Sequence, residues 1–346
     1  MTAAAKSTMP ALFRRLRAVG YDRAFLRRAV LPDWWEDSLA SDPGIRWQIE
    51  LRIAQRLSLP VAAVSDPSRP LPAPKAVGAR LKRAKKGADV ANVAPAMVAA
   101  RNLVRVLLPH LPPISNPPAG LSAVDFRARI LACGCPVDLA GLVHVCWESG
   151  IAVFHLGTFP QHAKKFAGMA YYEGRRPVIV LGSGYDAPPR LAFYLAHEVA
   201  HILRGHVKPG QAALVDSDLE KADDEDRHEL EADGDALEIL TGGRDPSFPV
   251  RVGMTAPKLA QAAQRYGSEH GIHAGTVALI YGKTANRMPV AVSALKRMNM
   301  DSGGRAIIAS GLERRLKPRC LGAEGGEELP GSAEEVLPLF GIECAC

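Results

Sequence analysis

The sequence predicts an α+β protein, in which a small β-sheet and a helix carrying two histidines form a core between helical N-terminal and C-terminal regions. The flanking segments carry apolar residues at i, i+3 and i+4, the spacing of amphipathic helices. A further helix is predicted after Pro188 and Pro189, and it contains His197-Glu198-Val199-Ala200-His201. Three short runs rich in Val, Ile and aromatic residues have the composition of strands: IAVFHL (151–156), FAGMAYYE (166–173) and PVIVLGS (177–183).

Proline-rich stretches divide the 346 residues into five predicted regions. Residues 1–65 form a helical, helix-turn-helix-like module, and residues 66–120 form a proline-rich and basic linker that includes a helix. Residues 121–250 hold the three strands and the histidine helix. A helical C-terminal region follows over residues 251–318, and a flexible tail rich in Gly and Glu covers residues 319–346.

Basic residues are concentrated in the first third of the chain. The formal net charge is +7, and residues 1–110 carry 19 Lys and Arg against 8 Asp and Glu, so this part is +11 and the remainder is −4. A basic segment attached to an acidic body is typical of proteins that bind nucleic acid. A basic surface that is merely solvated has the same composition. DNA binding by the basic N-terminal region is therefore one of two interpretations.

Composition argues against membrane and disulfide-rich classes. No run approaches the roughly 18 apolar residues of a membrane span, and the first ten residues, MTAAAKSTMP, lack the apolar core of a signal peptide. The six cysteines have no C-x-x-C spacing, so we expect reduced thiols rather than a disulfide framework. We therefore expect a cytoplasmic protein without a membrane partner.

The histidine pair has the spacing of a metal site. His197 and His201 lie one helical turn apart, so both rings can reach one ion from the same face. Glu198 is expected beside the open coordination position, where a carboxylate can take a proton from a bound water and pass it to a leaving amine. Because five letters also occur by chance, two histidines on a buried helix without a metal are the alternative. A third ligand is needed to decide.

The candidate third ligand lies in Glu229-Leu230-Glu231-Ala232-Asp233, which begins 28 residues after His201. This arrangement resembles the gluzincin metallopeptidases, in which a glutamate on a following helix completes the site. Glu229 and Asp233 share a helical face, so Glu229 can bind the ion while Asp233 accepts the second ring N–H of a ligand histidine. Glu231 is a competing ligand, but at i+2 it faces away when Glu229 faces the ion. The alternative is that the segment belongs to a solvated acidic surface.

Three further side chains near these motifs are candidates to stabilise the oxyanion of a hydrolytic transition state. They are Tyr194, His206 and His228. The strands FAGMAYYE and PVIVLGS are expected to supply a sheet edge to which a peptide substrate can add as an extra strand. The fold that these features predict is a gluzincin-like metallopeptidase core.

Residues 145–240 resemble the ImmA/IrrE family of metallo-endopeptidases. The resemblance rests on GIAVFHLG, on FAGMAYYEGRRPVIVLGSGYDAPPRLAFYLAHEVAHILRGH and on ELEADGDAL. It implies a zinc-dependent endopeptidase in which His197, His201 and Glu229 bind Zn²⁺. The same resemblance makes Glu198 the catalytic base. The sequence departs from the family at Asp235-Ala236-Leu237, where an aromatic residue is usual.

Members of this family are often fused to, or encoded beside, a helix-turn-helix regulator of the XRE type, and some inactivate such a repressor by a single cleavage. The basic N-terminal helices and HGIHAGTVALIYG (270–282) resemble parts of fused members. The resemblance therefore implies a protein substrate, in particular a transcriptional repressor, cleaved in a regulatory, stress or phage response. Two alternatives stay open: a DNA-binding transcriptional regulator with a protease-like sensor domain, and a toxin–antitoxin or phage-defence component.

Overall fold

A computed structural model describes ten segments of the chain, which together contain fourteen α-helices and five β-strands. The α+β class predicted from the sequence is confirmed. The basic run around Lys85 and the acidic run around Asp223 lie outside the described residues. The described segments are residues 8–74, 80–82, 93–114, 118, 120–133, 137–182, 184–210, 214–216, 227–320 and 329–342.

Four helices form the N-terminal region, and the helices predicted there are confirmed. They are α1 (Met9–Ala18), α2 (Arg23–Ala29), α3 (Pro43–Leu57) and α4 (Val61–Ser65). Helices α2 and α3 begin where the carboxylates of Asp22 and Asp42 accept backbone N–H groups, as N-cap residues do. A 3-10 helix, Asp37–Ser41, connects α2 to α3.

These four helices share one apolar core with the rest of the chain. Leu12 of α1 and Ile53 of α3 belong to the same buried cluster as Phe126 and Phe154. The predicted division after residue 65 is therefore not a division between separate cores. Amphipathic periodicity shows that a helix buries one face, but it does not say what that face packs against.

Three helices lead into the central sheet: α5 (Ala94–Leu107), α6 (Ala123–Leu131) and α7 (Leu139–Glu148). Helix α6 begins with a capping box, in which Ser122 and Asp125 each bond the other's backbone N–H. The carboxylate of Asp138 accepts the N–H of Gly141 at the start of α7.

The sheet has five strands in the order β1-β5-β3-β4-β2. Strands β3 and β4 form an antiparallel hairpin whose turn includes Gly174 at a φ of 60°, a conformation that glycine adopts without strain. Strand β2 pairs with β4 in parallel, and β5 pairs with β3 antiparallel. The strands are β1 (Arg80–Lys82), β2 (Ala152–His155), β3 (Gly168–Glu173), β4 (Arg176–Leu181) and β5 (Leu214–Asp216).

The three predicted strands are confirmed as β2, β3 and β4, but the expected free edge is wrong. Both β3 and β4 lie inside the sheet, because β5 covers the side of β3 that faces away from β4. Strands β1 and β5 were not predicted. Each has three residues and lies within a segment whose proline or charge content favours loops.

One helix packs on the sheet, and a second helix packs on the first. Helix α8 (Pro188–Leu203) lies against β3 and β4, and α9 (Arg227–Thr241) lies against α8. Twelve of the sixteen residues of α8 are buried, so the helix predicted to carry the histidines runs through the protein interior.

The C-terminal region divides into two parts. Helices α10 (Ala256–His270), α11 (Ala274–Thr284) and α12 (Met288–Arg297) enclose an apolar cluster of their own. Helix α13 (Gly304–Cys320) instead packs on α7 and β2.

Residues 329–342 correct the prediction of a flexible tail over 319–346. They form α14 (Gly331–Glu334) and a 3-10 helix (Leu337–Phe340), and the ring of Phe340 lies 5.3 Å from that of Phe154. Among the helices described, none is both long and apolar enough to cross a membrane.

Candidate metal centre

Helix α8 brings the two histidines and the intervening glutamate into the interior. Pro188 and Pro189 occupy its first turn, where a missing backbone N–H costs no helical hydrogen bond. His197, Glu198 and His201 expose only 1%, 1% and 2% of their surface. Buried polar side chains need polar partners, so their contacts define the site.

Three buried groups converge on one point. The Nε2 atoms of His197 and His201 are 3.1 Å apart. The Oε2 atom of Glu229, on α9, lies 3.2 Å from Nε2 of His197, and Oε1 lies 3.5 Å from Nε2 of His201. Glu229 is 3% exposed. These three residues form a group able to hold a metal ion.

The spacing of this triad fits a zinc ion. Zn²⁺ binds histidine nitrogen and carboxylate oxygen at about 2.0–2.2 Å, and in a tetrahedron two such ligand atoms stand about 3.3 Å apart. The three measured separations, 3.1, 3.2 and 3.5 Å, lie around that value. Glu231 belongs to the same helix as Glu229 but lies outside the triad.

Each histidine of the triad has a partner at its other ring nitrogen. Nδ1 of His197 lies 2.9 Å from Oδ1 of Asp233. Nδ1 of His201 lies 3.0 Å from Nδ1 of His206. Such partners fix the tautomer and orientation of a metal-binding imidazole.

Glu198 lies against strand β3 at a residue without a side chain. A Cβ built on Gly168 would stand 2.7 Å from Cγ and 2.8 Å from Cδ of Glu198, and it would also meet Oε1. Contacts under 3.0 Å are essentially never seen for real Cβ atoms. The absence of a side chain at Gly168 is therefore what leaves room for the Glu198 carboxylate. Sequence reasoning missed this residue.

Ion pairs join the end of α8 to α9. Arg204 bonds both carboxylate oxygens of Asp235, at 2.5 and 2.8 Å, and Arg244 contacts the same carboxylate. Burial raises the pKa of Asp235, but these two arginines outweigh it and hold the pKa below the usual value. Asp235 belongs to the Asp235-Ala236-Leu237 stretch, in which the family resemblance predicts an aromatic residue. Through Arg204, Asp235 connects the two helices that carry the triad.

The three candidate oxyanion donors lie in two places. Tyr194 is buried in α8, one turn before His197. His206 contacts the Nδ1 side of His201, behind the triad, and the ring of His228 stacks on His206 with centroids 4.1 Å apart. The position of His206 thus favours support of His201 over contact with a substrate oxyanion, whereas His228 packs on the ring of His206.

The fold and the site together define a metallopeptidase-like α+β domain with an H-E-x-x-H helix and a glutamate on the next helix. Residues 146–267 match the family model Peptidase_M78, described as the IrrE N-terminal-like domain. Over this segment, the resemblance to ImmA/IrrE proteins is therefore confirmed. No curated protein and no solved structure matches the chain.

The matched segment differs somewhat from the predicted domain over 121–250. It starts in α7, includes the sheet strands β2 to β5 with α8 and α9, and ends in α10. The N-terminal helices α1 to α4 lie outside it.

Proposed function

We propose that this protein is a zinc-dependent endopeptidase that hydrolyses a peptide bond in a protein substrate. The observation that carries the proposal is the convergence of His197, His201 and Glu229 at separations that fit one Zn²⁺ ion. Glu198 adjoins this triad on the same buried helix. The matching family is a peptidase family, which supports the same reaction class.

The triad residues would hold the ion, with Asp233 and His206 behind the two imidazoles. A bound Zn²⁺ supplies a Lewis acid for the scissile carbonyl and lowers the pKa of a bound water to about 7. Glu198 accepts a proton from the water as the water oxygen bonds to the carbonyl carbon. The C–N bond then breaks, and Glu198 returns that proton to the leaving amine.

We infer that the substrate is a protein, in particular a transcriptional repressor, from what the family resemblance implies. An endopeptidase needs a substrate segment in extended form, because the peptide bond has to reach Glu198 beside the sheet. Cleavage of such a repressor would act in a regulatory, stress or phage response.

Metal analysis and peptide digestion test this function together. Wild type, Glu229→Ala and Glu198→Gln are purified with zinc, and bound metal is measured beside the digestion of a mixed peptide library by mass spectrometry. We expect Glu229→Ala to lose zinc and cleavage, whereas Glu198→Gln keeps zinc and loses cleavage. Glu238→Gln is the matched control and should behave as wild type, because Glu238 is a partly exposed residue of α9 paired with Arg244 at 3.4 Å. Equal zinc in all four proteins would contradict the ligand assignment.

A second candidate function, DNA binding, is favoured by the basic residues in and around helices α10 to α12. Residues 251–300 contain seven basic residues and one acidic residue, Glu269. All seven are exposed, and within the described part of the chain no hydrogen bond or ion pair engages their side chains. They are Arg251, Lys258, Arg265, Lys283, Arg287, Lys296 and Arg297.

The N-terminal arginines whose side chains the structure describes are mostly engaged within the protein. Twelve basic residues of the first 110 have described side chains, and nine of them bond a carboxylate or a backbone carbonyl. Arg15, for example, donates to the carbonyls of Val64 and Ala63. Cations bound in this way contribute less to phosphate binding. The nine are Arg15, Arg23, Arg27, Arg46, Arg52, Arg56, Arg69, Arg101 and Arg105.

Salt-dependent binding of the full-length protein to a labelled DNA duplex tests this candidate. Neutralising Lys296 and Arg297 together should weaken binding and reduce the slope of log K against log salt by about 2. Neutralising the exposed Arg14 and Arg17 of α1 is the matched control and should change little. No binding at low salt, or equal effects of the two pairs, would refute a DNA-binding C-terminal region. A toxin–antitoxin or phage-defence role is tested separately, by the genes encoded beside this one.

A further inference from the structure

A chain of polar contacts runs from His201 away from the triad. Nδ1 of His201 lies 3.0 Å from Nδ1 of His206, and Nε2 of His206 lies 3.2 Å from Oε2 of Glu231. Glu231 in turn contacts Arg227 at 2.7 Å and Arg204 at 3.9 Å. His197 differs, because its Nδ1 meets the carboxylate of Asp233 directly.

The end of helix α8 places His206 in this chain. Gly205 has a φ of 67°, the left-handed conformation that ends a helix, and the N–H of His206 bonds the carbonyl of His201 at 2.9 Å. This bond from the third residue after the helix back to its last turn is that of a Schellman motif. It folds the backbone back, so the side chain of His206, 7% exposed, reaches the ring of His201.

Only one arrangement of protons suits both contacts when His201 binds a cation through Nε2. The lone pair of Nε2 is then used, so Nδ1 of His201 carries the hydrogen and donates it. Nδ1 of His206 must accept, which leaves the hydrogen of His206 on Nε2. That N–H donates to the carboxylate of Glu231. Each donor faces an acceptor along the whole chain.

We propose that His206, held by Glu231, is a positioning residue that fixes the tautomer and ring orientation of the metal ligand His201. The inference rests on the proposed metal site and deepens it. Outer partners of this kind usually change metal affinity by about 10–100-fold when they are removed. Glu231, the competing ligand of the sequence analysis, holds His206 in this proposal instead of binding the ion.

The neighbouring His228 offers a matched control. Its ring stacks on His206 with centroids 4.1 Å apart and planes 18° apart, so it packs on the same imidazole through its face. Replacing His228 by alanine removes packing on His206 but leaves both ring-nitrogen contacts of His206 in place. Replacing His206 by glutamine keeps an amide oxygen able to accept from Nδ1 of His201, and Glu231→Gln keeps an oxygen able to accept from His206.

The experiment measures zinc affinity by chelator competition and the visible absorption spectrum of the Co²⁺-loaded full-length protein. We expect His206→Ala to weaken zinc binding by about 10–100-fold and to change the Co²⁺ spectrum. His206→Gln and Glu231→Gln should recover most of the affinity, and His228→Ala should match wild type. Where His206→Ala does not fold, the two glutamine variants are compared with Glu231→Ala.

The outcomes separate this inference from the function on which it rests. Wild-type protein that binds no zinc overturns both proposals. Zinc binding that Glu229→Ala abolishes, while His206→Ala retains wild-type affinity and spectrum, overturns only the positioning role. A loss in His228→Ala equal to that in His206→Ala also overturns it, because packing alone would then explain the effect.

Discussion

Replacing Gly168 by alanine should displace the Glu198 carboxylate, the proposed catalytic base, without touching a residue of the His197, His201 and Glu229 triad. The new Cβ would stand 2.7 Å from Cγ and 2.8 Å from Cδ of Glu198, whereas ordinary contact begins at 3.4 Å. Because Oε1 lies closer still, the glutamate side chain or the strand has to move by at least about 0.7 Å. Misplacement of a reacting group by about 1 Å costs up to about 100-fold in rate. We expect cleavage to fall by about 10–100-fold, which is about 1.4–2.7 kcal/mol of transition-state stabilisation.

The assay compares initial rates of peptide cleavage, bound zinc and thermal stability for wild type and Gly168→Ala. Bound zinc should equal that of wild type, because the triad residues lie on α8 and α9 and not on β3. Gly157→Ala is the control, since a Cβ there would meet no atom within 4 Å. A Gly168→Ala protein that cleaves at the rate of Gly157→Ala would refute the role assigned to this contact. A joint loss of zinc and activity would do so as well.

Three further predictions concern residues around the site. Asp233→Asn should weaken zinc binding by about 10–100-fold, because Asp233 orients His197; chelator competition measures this, and unchanged affinity contradicts it. Asp235→Asn should destabilise the metal-free fold at neutral pH, because it removes the ion pairs with Arg204 and Arg244. The expected loss is only about 1–2 kcal/mol, because both arginines are partly exposed and solvent screens their charges. The folded pKa of Asp235 is lowered, so this contribution is present above about pH 4 and is lost as pH falls through the folded value; urea unfolding at pH 7 and pH 3 should show the difference shrinking in acid. Cys146 is fully buried, which raises the pKa of its thiol, so iodoacetamide should modify the exposed Cys133 in the native protein and leave Cys146 unmodified until unfolding; equal rates would contradict this.

Local patterns in the sequence were enough to predict the central strands and the histidine helix. Strands β2 to β4 are apolar runs bounded by turns, and α8 combines an initial proline pair with a buried face. Glu229 was preferred to Glu231 from helical geometry together with the family resemblance, and the structure places Glu229 with the two histidines. These choices depend on residues a few positions apart, for which periodicity is informative.

Contacts between distant segments could not be predicted from sequence patterns. Strands β1 and β5 pair residues 80–82 with residues 214–216, and nothing in either short segment indicates the other. The packing of the N-terminal helices on the main core and of Phe340 on Phe154 is likewise set by long-range complementarity. His206 is different, since a glycine directly before it marks a helix end. This helix-end signal could have predicted that the chain turns back toward His201 at His206.

Strand β5 limits how an extended peptide can pair with the sheet. A strand forms main-chain hydrogen bonds along two sides only, and over Gly168–Ala170 both sides of β3 are taken, one by β4 and the other by β5. Strand β5, which occupies this position, belongs to the connection between α8 and α9, the two helices that carry the triad. An incoming extended peptide can therefore pair next to Glu198 only by exchanging places with residues 214–216 of the protein itself.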